Sequence, residues 1–162
     1  FYSIYNHSSS RATATVEQEN GENYVSLRAA DNVDGNYIYT TSVLSQTIPT
    51  GTTVKVKVVF RPTKDFVATS TSAASKFIIR LDSTKNDLKI GAVFSDDQFD
   101  GETWLTYEKE ITLKADCKFF HFYSYPQAGH GYDIKYIEIT DMTRESADTE
   151  EIPATVTRLL PK

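Results

Sequence analysis

Apolar side chains recur at every second position in several short segments of this chain, and that spacing limits what it can fold into. In Val54–Phe60, three valines and a phenylalanine alternate with positions that include Lys55 and Lys57. A strand with one face on a core and one face in water has this period of two. Phe77–Leu81 and Leu88–Phe94 alternate in the same way. The three segments predict half-buried antiparallel strands, the last two as neighbours.

Residues 119–140, FFHFYSYPQAGHGYDIKYIEIT, predict a hairpin of two strands. Alternation places Phe120 and Phe122 on one face of the first strand, which suits a core. The opposite face carries the other ring-bearing side chains of this segment: Phe119, His121, Tyr123 and Tyr125. That second face is either another packing surface or a half-wet binding surface.

The second strand of this hairpin needs one irregularity. Ile134 differs in parity from Ile137 and Ile139, so a regular strand would place them on opposite faces. A β-bulge near Lys135 and Tyr136 would return all three isoleucines to one face. We therefore predict a bulge at that point.

The sequence as a whole predicts about nine short strands, because its turn residues are regularly spaced and no segment has the apolar stripe of an amphipathic helix. This pattern predicts an all-β antiparallel sandwich. We assign residues 1–141 to that domain, because 162 residues suit a single domain. Residues 142–162 predict an acidic linker and a C-terminal extension. The end of that extension is either a last strand of the sandwich or the start of another domain.

Charge and cysteine content narrow the possible partners. A formal charge of −5 with dispersed lysines argues against nucleic acid. No apolar run is long enough for membrane insertion. Cys117 is the single cysteine, so no internal disulfide can form, and we expect a small buried or strand-end thiol. The chain starts at Phe1 without a methionine, which suggests a mature product or a domain of a larger multidomain protein.

The sequence contains no catalytic motif. Its histidines, His7, His121 and His130, are not at metal-binding spacing, and there is no nucleophile elbow or glycine-rich phosphate loop. Four carboxylates in residues 96–102 could supply a general acid and base, but such a group is more often a solvated loop. The loops at residues 31–36 and 95–103 both fail as EF-hands, because Thr41 and Tyr107 stand where that motif needs a closing glutamate. We expect no enzymatic activity from the domain itself.

Tyrosines dominate the candidate ligand-binding residues. A sugar ring presents C–H groups on its face and hydroxyls at its edge, so its site needs an aromatic plate with polar side chains around it. The candidate carbohydrate-binding residues are Tyr37, Tyr39, Arg80, Trp104, His121, Tyr123 and Tyr125. Aromatic residues also fill cores, and for Trp104 and Tyr107 we favour a core position. For Tyr123 and Tyr125 both roles stay open, because their strand already has two phenylalanines for the core.

The order of features along the chain resembles that of carbohydrate-binding modules of families four, nine and twenty-two. The residues that carry the resemblance are Tyr24–Arg28, Ile48–Val54, Trp104 with Tyr107 and Ile111, and Gly131–Ile137. It covers roughly Ala12 to Thr140 and lies in pattern rather than identity. The resemblance implies a jelly-roll fold of the galactose-binding-domain kind, a polysaccharide or oligosaccharide partner, and a secreted or cell-surface protein. In those modules the last strand carries paired aspartates where this chain has Lys135 and Tyr136.

The same resemblance implies a structural calcium ion, held between an early strand and the end of the last one. The matching positions in this chain are Glu17 or Glu19 together with Asp141. Carboxylate oxygens are the ligands that calcium prefers.

Three function classes are compatible with these features. The first is a non-catalytic carbohydrate-binding module, which raises the effective concentration of an attached enzyme or surface protein at its polysaccharide. The second is a structural or receptor-binding domain of a phage tail or bacterial surface assembly. An assembly domain should expose an apolar patch at an edge and form oligomers, whereas a sugar module should be monomeric with an aromatic-lined groove. A third class, a small β-sandwich hydrolase or lyase, would need paired carboxylates or a His and Tyr couple in a cleft.

Overall fold

The computed structural model describes residues 3–4, 12–30, 38–66, 76–143 and 156–158, and it describes side chains for 13–30, 43–66, 76–122 and 124–143. The strands within these ranges are β1 (Ser3–Ile4), β2 (Ala12–Glu19), β3 (Glu22–Ala29), β4 (Ile38–Ile48), β5 (Thr53–Pro62), β6 (Ile78–Leu81), β7 (Asp87–Leu88), β8 (Leu105–Thr112), β9 (Cys117–Ser124), β10 (Gly131–Asp141) and β11 (Val156–Arg158). Three short 3-10 helices lie between β6 and β8, at Thr84–Asn86, Ile90–Ala92 and Asp96–Gln98. No helix in the described ranges is both long and apolar enough to cross a membrane.

The strands form two antiparallel sheets. Sheet A has the order β1-β4-β9-β6-β7, and sheet B has the order β2-β3-β10-β5-β8 with β11 added beside β10. Each sheet turns one face to a shared core, so the molecule is the predicted all-β antiparallel sandwich of the jelly-roll kind. We use "outer face" for the side of either sheet that points away from this core.

The core contains the side chains that alternation placed inside. Val54, Val56, Val58 and Phe60 on β5 are all 0% exposed, while Lys55 and Lys57 between them are half-buried on the outer face of sheet B. Sheet A contributes Phe120 and Phe122 of β9 from the other side. The prediction of one inward face on each of these strands is confirmed.

The predicted bulge in β10 is also confirmed. The pairing of β10 with β5 shifts register between Ile134 and Tyr136, which is where the parity of the isoleucines changes. As a result Ile134, Ile137 and Ile139 all enter the core. The extra residue allows one strand to keep a continuous apolar face across the irregularity.

The alternation of Leu88–Phe94 does not make a strand, and that prediction is wrong. Strand β7 ends at Leu88, and Ile90–Ala92 form a 3-10 helix. Ile90 still reaches the core, but the chain satisfies its backbone locally, because the amide of Val93 donates to the carbonyl of Ile90. In such a short apolar run, alternation alone does not distinguish a strand from a helical turn.

Strand β11 pairs with the second half of β10, at Glu138–Thr140, whereas β3 pairs with the first half, at Gly131–Ile134. Of the two alternatives for the C-terminal end, the structure therefore has a strand of the sandwich. The boundary at residue 141 stays a prediction.

Cys117 is a buried thiol at the start of β9, as predicted. Its side chain is 1% exposed, and its Sγ donates to the carbonyl of Phe119 at 3.3 Å. Burial, with a smaller contribution from the charge of Asp82, raises the pKa of the thiol to about 12. The thiolate is therefore scarce at neutral pH, and Cys117 has the properties of a packing residue.

Candidate functional site

Strands β4, β9 and β6 of sheet A carry most of the candidate sugar-binding residues. Strand β9 lies between β4 and β6, and the register places Thr41, His121 and Arg80 in one row across the three strands. The next row is Tyr39, Tyr123 and Ile78. The two rows are two residues apart along each strand, which is about 7 Å, and one ligand is large enough to touch both.

The polar row ends in a fixed ion pair. Arg80 donates from Nε to Oδ1 of Asp87 at 2.7 Å and from Nη2 to Oδ2 at 2.8 Å. This two-point contact orients the guanidinium group, and the Arg80 side chain remains 31% exposed. His121 is half-buried beside it in the row. Arg80 and His121 thus place two side chains with hydrogen-bonding groups next to each other on this face.

Apolar side chains flank the polar row. Val43 and Phe119 are paired on its other side, with Val43 66% exposed. The ring of Phe119 packs against that of His121 at a centroid distance of 5.0 Å, which confirms that these two residues share a face. At the opposite end Ile78 is only 7% exposed although it points away from the core. The outer face of sheet A is therefore exposed to solvent at Val43, half-buried at His121 and buried at Ile78.

The candidate residues differ in how far the structure locates them. Arg80 and His121 are neighbours in the polar row, and Tyr125 is half-buried directly after the end of β9. For Tyr39 and Tyr123 the structure gives the backbone, where they are direct partners. Tyr37 lies outside the described residues.

Trp104 lies on the other sheet, which corrects its predicted position in the core. It precedes β8 on the outer face of sheet B, where its indole Nε1 donates to Glu19 Oε2 at 2.8 Å. The guanidinium of Arg61 lies 4.3 Å from its ring centroid and the ammonium of Lys135 4.8 Å. Strand alternation could have predicted the outward position of Trp104, because its neighbour Leu105 points inward. Trp104 cannot share a ligand with His121 across the core.

Tyr107 takes the core position predicted for it. It is 6% exposed on the inner face of β8, and burial raises the pKa of its hydroxyl.

The cluster around Trp104 is centred on Arg61, which sequence reasoning did not single out. Arg61 donates from Nε at 3.0 Å and from Nη2 at 2.9 Å to Oδ2 of Asp133, and from Nη1 at 3.1 Å to Glu19. Arg28 Nη2 lies 2.9 Å from Oδ1 of the same aspartate. The side chains of Arg61 and Asp133 are only 9% and 5% exposed. Alternation after Lys55 and Lys57 was the available signal that Arg61 points outward.

The charges in this cluster stabilise one another. Burial acts against the charge of Arg61, but hydrogen bonds to Asp133 and Glu19 outweigh it and raise its pKa. The pKa of Glu19 is lowered, first by the hydrogen bond from Trp104 and then by that from Arg61. Glu19 is the last residue of β2, so these contacts connect the tip of the β2–β3 hairpin to β5 within sheet B. These side chains therefore form one ion network, in which Asp133 Oδ1 has an ion-pair contact with Arg28 but no hydrogen bond within the described residues.

The β2–β3 hairpin has a two-residue turn, which keeps Glu19 at the tip of the hairpin. Asn20 and Gly21 have positive φ angles of 51° and 80°, as a type I′ turn requires. The tight turn allows β2 and β3 to stay in register up to the pair Glu19 and Glu22.

Calcium binding stays a prediction, and the structure places two of the residues proposed for it, Glu19 and Asp141, far apart. Glu19 contacts Arg61, whereas Asp141 pairs with Val54 at the other end of β5. Those two positions of β5 are seven residues apart, roughly 23 Å at about 3.3 Å per residue. Glu17 is exposed and pairs with Tyr24 in β3. In the ranges that the structure describes, no three His, Cys, Asp or Glu side chains are grouped to hold a metal.

The acidic loop before β8 is stabilised by its own hydrogen bonds. Asp100 accepts from the amides of Glu102 and Thr103 at 2.8 and 2.7 Å and from the Thr103 hydroxyl. These bonds, the hydroxyl first, lower the pKa of Asp100 to about 2. An exposed carboxylate with so low a pKa is a poor general acid at neutral pH, in keeping with the interpretation as a solvated loop.

Similarity to known proteins is found among solved structures. No family model matches the chain, and no curated protein matches it. Among solved structures, the C-terminal CBM6 of LamC, a marine laminarinase from Zobellia galactanivorans, aligns over 86% of this chain and 97% of its own, with a TM-score of 0.47 and 14% identity. A similarity of this size does not establish a shared ligand or site. The resemblance to families four, nine and twenty-two stays a prediction.

Proposed function

We propose that this chain is a non-catalytic carbohydrate-binding module whose ligand lies on the outer face of sheet A. The supporting observation is the register of β4, β9 and β6, which sets the Thr41, His121 and Arg80 row beside the Tyr39 and Tyr123 row. A polar row next to an aromatic row matches the edge and the face of a sugar ring. The module would serve a secreted or cell-surface protein, as part of a larger multidomain chain that acts on or attaches to a polysaccharide.

The test begins with a glycan array on the isolated domain, followed by calorimetric titration of the best ligand. Tyr125→Ala should weaken binding by roughly 1 to 3 kcal/mol, because a large apolar contact with aromatic geometry is lost. Tyr136→Ala is the matched control, since Tyr136 is equally half-buried but lies on β10 of sheet B. Equal losses in the two variants, or no glycan bound by the wild type, would contradict the proposal.

One observation favours the second function class, a structural or receptor-binding domain of an assembly. Val16 on β2 is 54% exposed, and β2 is the end strand of sheet B. Apolar surface at a sheet edge is typical of assembly domains. Oligomers that bind no glycan would favour this class over the carbohydrate-binding module.

A further inference from the structure

The tip of the β2–β3 hairpin places an asparagine directly before a glycine. Asn20 and Gly21 are the two residues between β2 and β3, and both are exposed. Of the six asparagines in the chain, Asn20 alone precedes a glycine. Glycine has no side chain to shield its backbone nitrogen. The space beside Gly21 is open as well, because a Cβ atom added there would have no neighbour within 4 Å.

An asparagine in this position can react with its own main chain. The backbone nitrogen of Gly21 gives up its proton to the solvent and forms a bond to Cγ of Asn20, and the side-chain nitrogen leaves as ammonia. The product is a five-membered succinimide ring. Water then opens the ring at one of its two carbonyl groups, which leaves an aspartate or an isoaspartate at position 20. The net reaction consumes one water and releases one ammonia, and it needs no enzyme or cofactor.

The closed turn opposes this reaction. Asn20 and Gly21 have the positive φ angles of a type I′ turn, and the flanking residues Glu19 and Glu22 are paired in register. Ring formation requires a rotation about the Cα–C bond of Asn20, which changes the path of the main chain through the turn. The hairpin tip must therefore open first, and the reaction rate follows the population of the open form.

Both residues that flank the turn are attached to other strands or to the segment before β8. Glu19 accepts from the indole Nε1 of Trp104 at 2.8 Å and from Nη1 of Arg61 at 3.1 Å. On the other side of the turn, Lys135 Nζ donates to Glu22 Oε2 at 2.8 Å. Hydrogen bonds that involve charged groups are stronger than neutral ones. Opening of the tip has to break these contacts, so they favour the closed turn.

We propose that Asn20 is a site of spontaneous deamidation, and that the contacts of Glu19 with Arg61 and Trp104 set its rate by holding the turn closed. Either product adds a negative charge between Glu19 and Glu22. An isoaspartate also adds one atom to the main chain, which a two-residue type I′ turn does not accommodate. The modification therefore loosens the hairpin tip from Arg61. It involves sheet B alone, so it is independent of the proposed sugar site.

Peptide mapping by mass spectrometry, on folded protein kept in mildly alkaline buffer, measures the conversion at Asn20. Glu19→Ala should raise its rate roughly two- to fivefold, the factor by which loss of a partly exposed ion pair shifts an opening equilibrium. Glu17→Ala is the matched control, because it removes the same charge from an exposed position of β2, and it should leave the rate unchanged. Asn23 is exposed but precedes Tyr24, so it should stay unmodified.

Unfolding the three proteins in urea separates the effect of the fold from that of the sequence. All three should then deamidate at one common rate that exceeds the rate in the folded wild type. Native circular dichroism before incubation shows that the variants are folded. Equal rates in folded Glu19→Ala and Glu17→Ala would overturn the role of Glu19. A folded wild type that shows no conversion at Asn20, or conversion at Asn23 that is equally fast, would overturn the site.

Discussion

Phe122→Ala should reduce the free energy of unfolding by about 3 to 5 kcal/mol, the range for removing a large aromatic side chain from a core. Phe122 is 0% exposed, and its ring lies 4.8 Å from that of Tyr132 and 5.6 Å from that of Phe60. Phe60 and Tyr132 belong to sheet B, so the ring of Phe122 joins the two layers. Its loss leaves a cavity whose walls are other rigid rings, which limits relaxation. Urea unfolding followed by far-UV circular dichroism measures the change.

The control for this variant is Tyr125→Ala, directly beyond the same strand. Tyr125 is half-buried and is not part of the buried core cluster, so its removal should cost much less stability while weakening glycan binding. The two variants thus separate core from site. If Tyr125→Ala lowers the urea midpoint as much as Phe122→Ala does, both faces of β9 are core, and sheet A has no free outer surface there.

Arg61→Met should destabilise the domain by a comparable amount, about 3 to 5 kcal/mol, because it leaves a buried aspartate without its main counter-charge. Asp133 is 4% exposed and would retain only the contact with Arg28. The bond to Glu19 adds little to this figure, since that carboxylate is 39% exposed and screened by water. Thermal and urea unfolding of the variant measure the loss.

Two comparisons make the Arg61 result specific. Lys57→Met removes a charge from the same face of β5 and should change stability by no more than about 0.5 kcal/mol. Arg61→Met combined with Asp133→Leu removes the unpaired buried charge and should recover part of the loss. An Arg61→Met variant as stable as Lys57→Met would show that the cluster over sheet B does not fix the β2–β3 hairpin.

The sequence was most informative where one physical rule decides the outcome. Burial of one strand face requires a period of two, so Val54–Phe60 could be assigned directly. The parity change between Ile134 and Ile137 required an extra residue, and the structure has its register shift there. The same rule failed for Leu88–Phe94, because a 3-10 helix can also bury Ile90 when the run is short.

The sequence predicted which residues of the candidate site share a face of one strand, but not which strands lie next to each other in the sheet. Alternation put His121 and Phe119 on one face, and their ring contact confirms it. Which strands lie beside them depends on pairing between distant segments, and no local pattern records that pairing. Trp104 was therefore grouped with His121 although it lies on the other sheet, beside Arg61. The hydrogen-bond partners of Arg61, Glu19 on β2 and Asp133 on β10, are distant in the sequence, so only the folded chain brings them together.

Mapping of backbone amide shifts during a glycan titration tests the central claim, that the sugar lies on the outer face of sheet A. With the ligand from the array, we expect the largest changes at the amides of Thr41, Arg80 and His121, which are in register on three strands. The amides of Lys57 on β5 and Glu108 on β8, paired on sheet B, should stay unchanged. Changes confined to sheet B, or to the loop at residues 96–104, would contradict the claim.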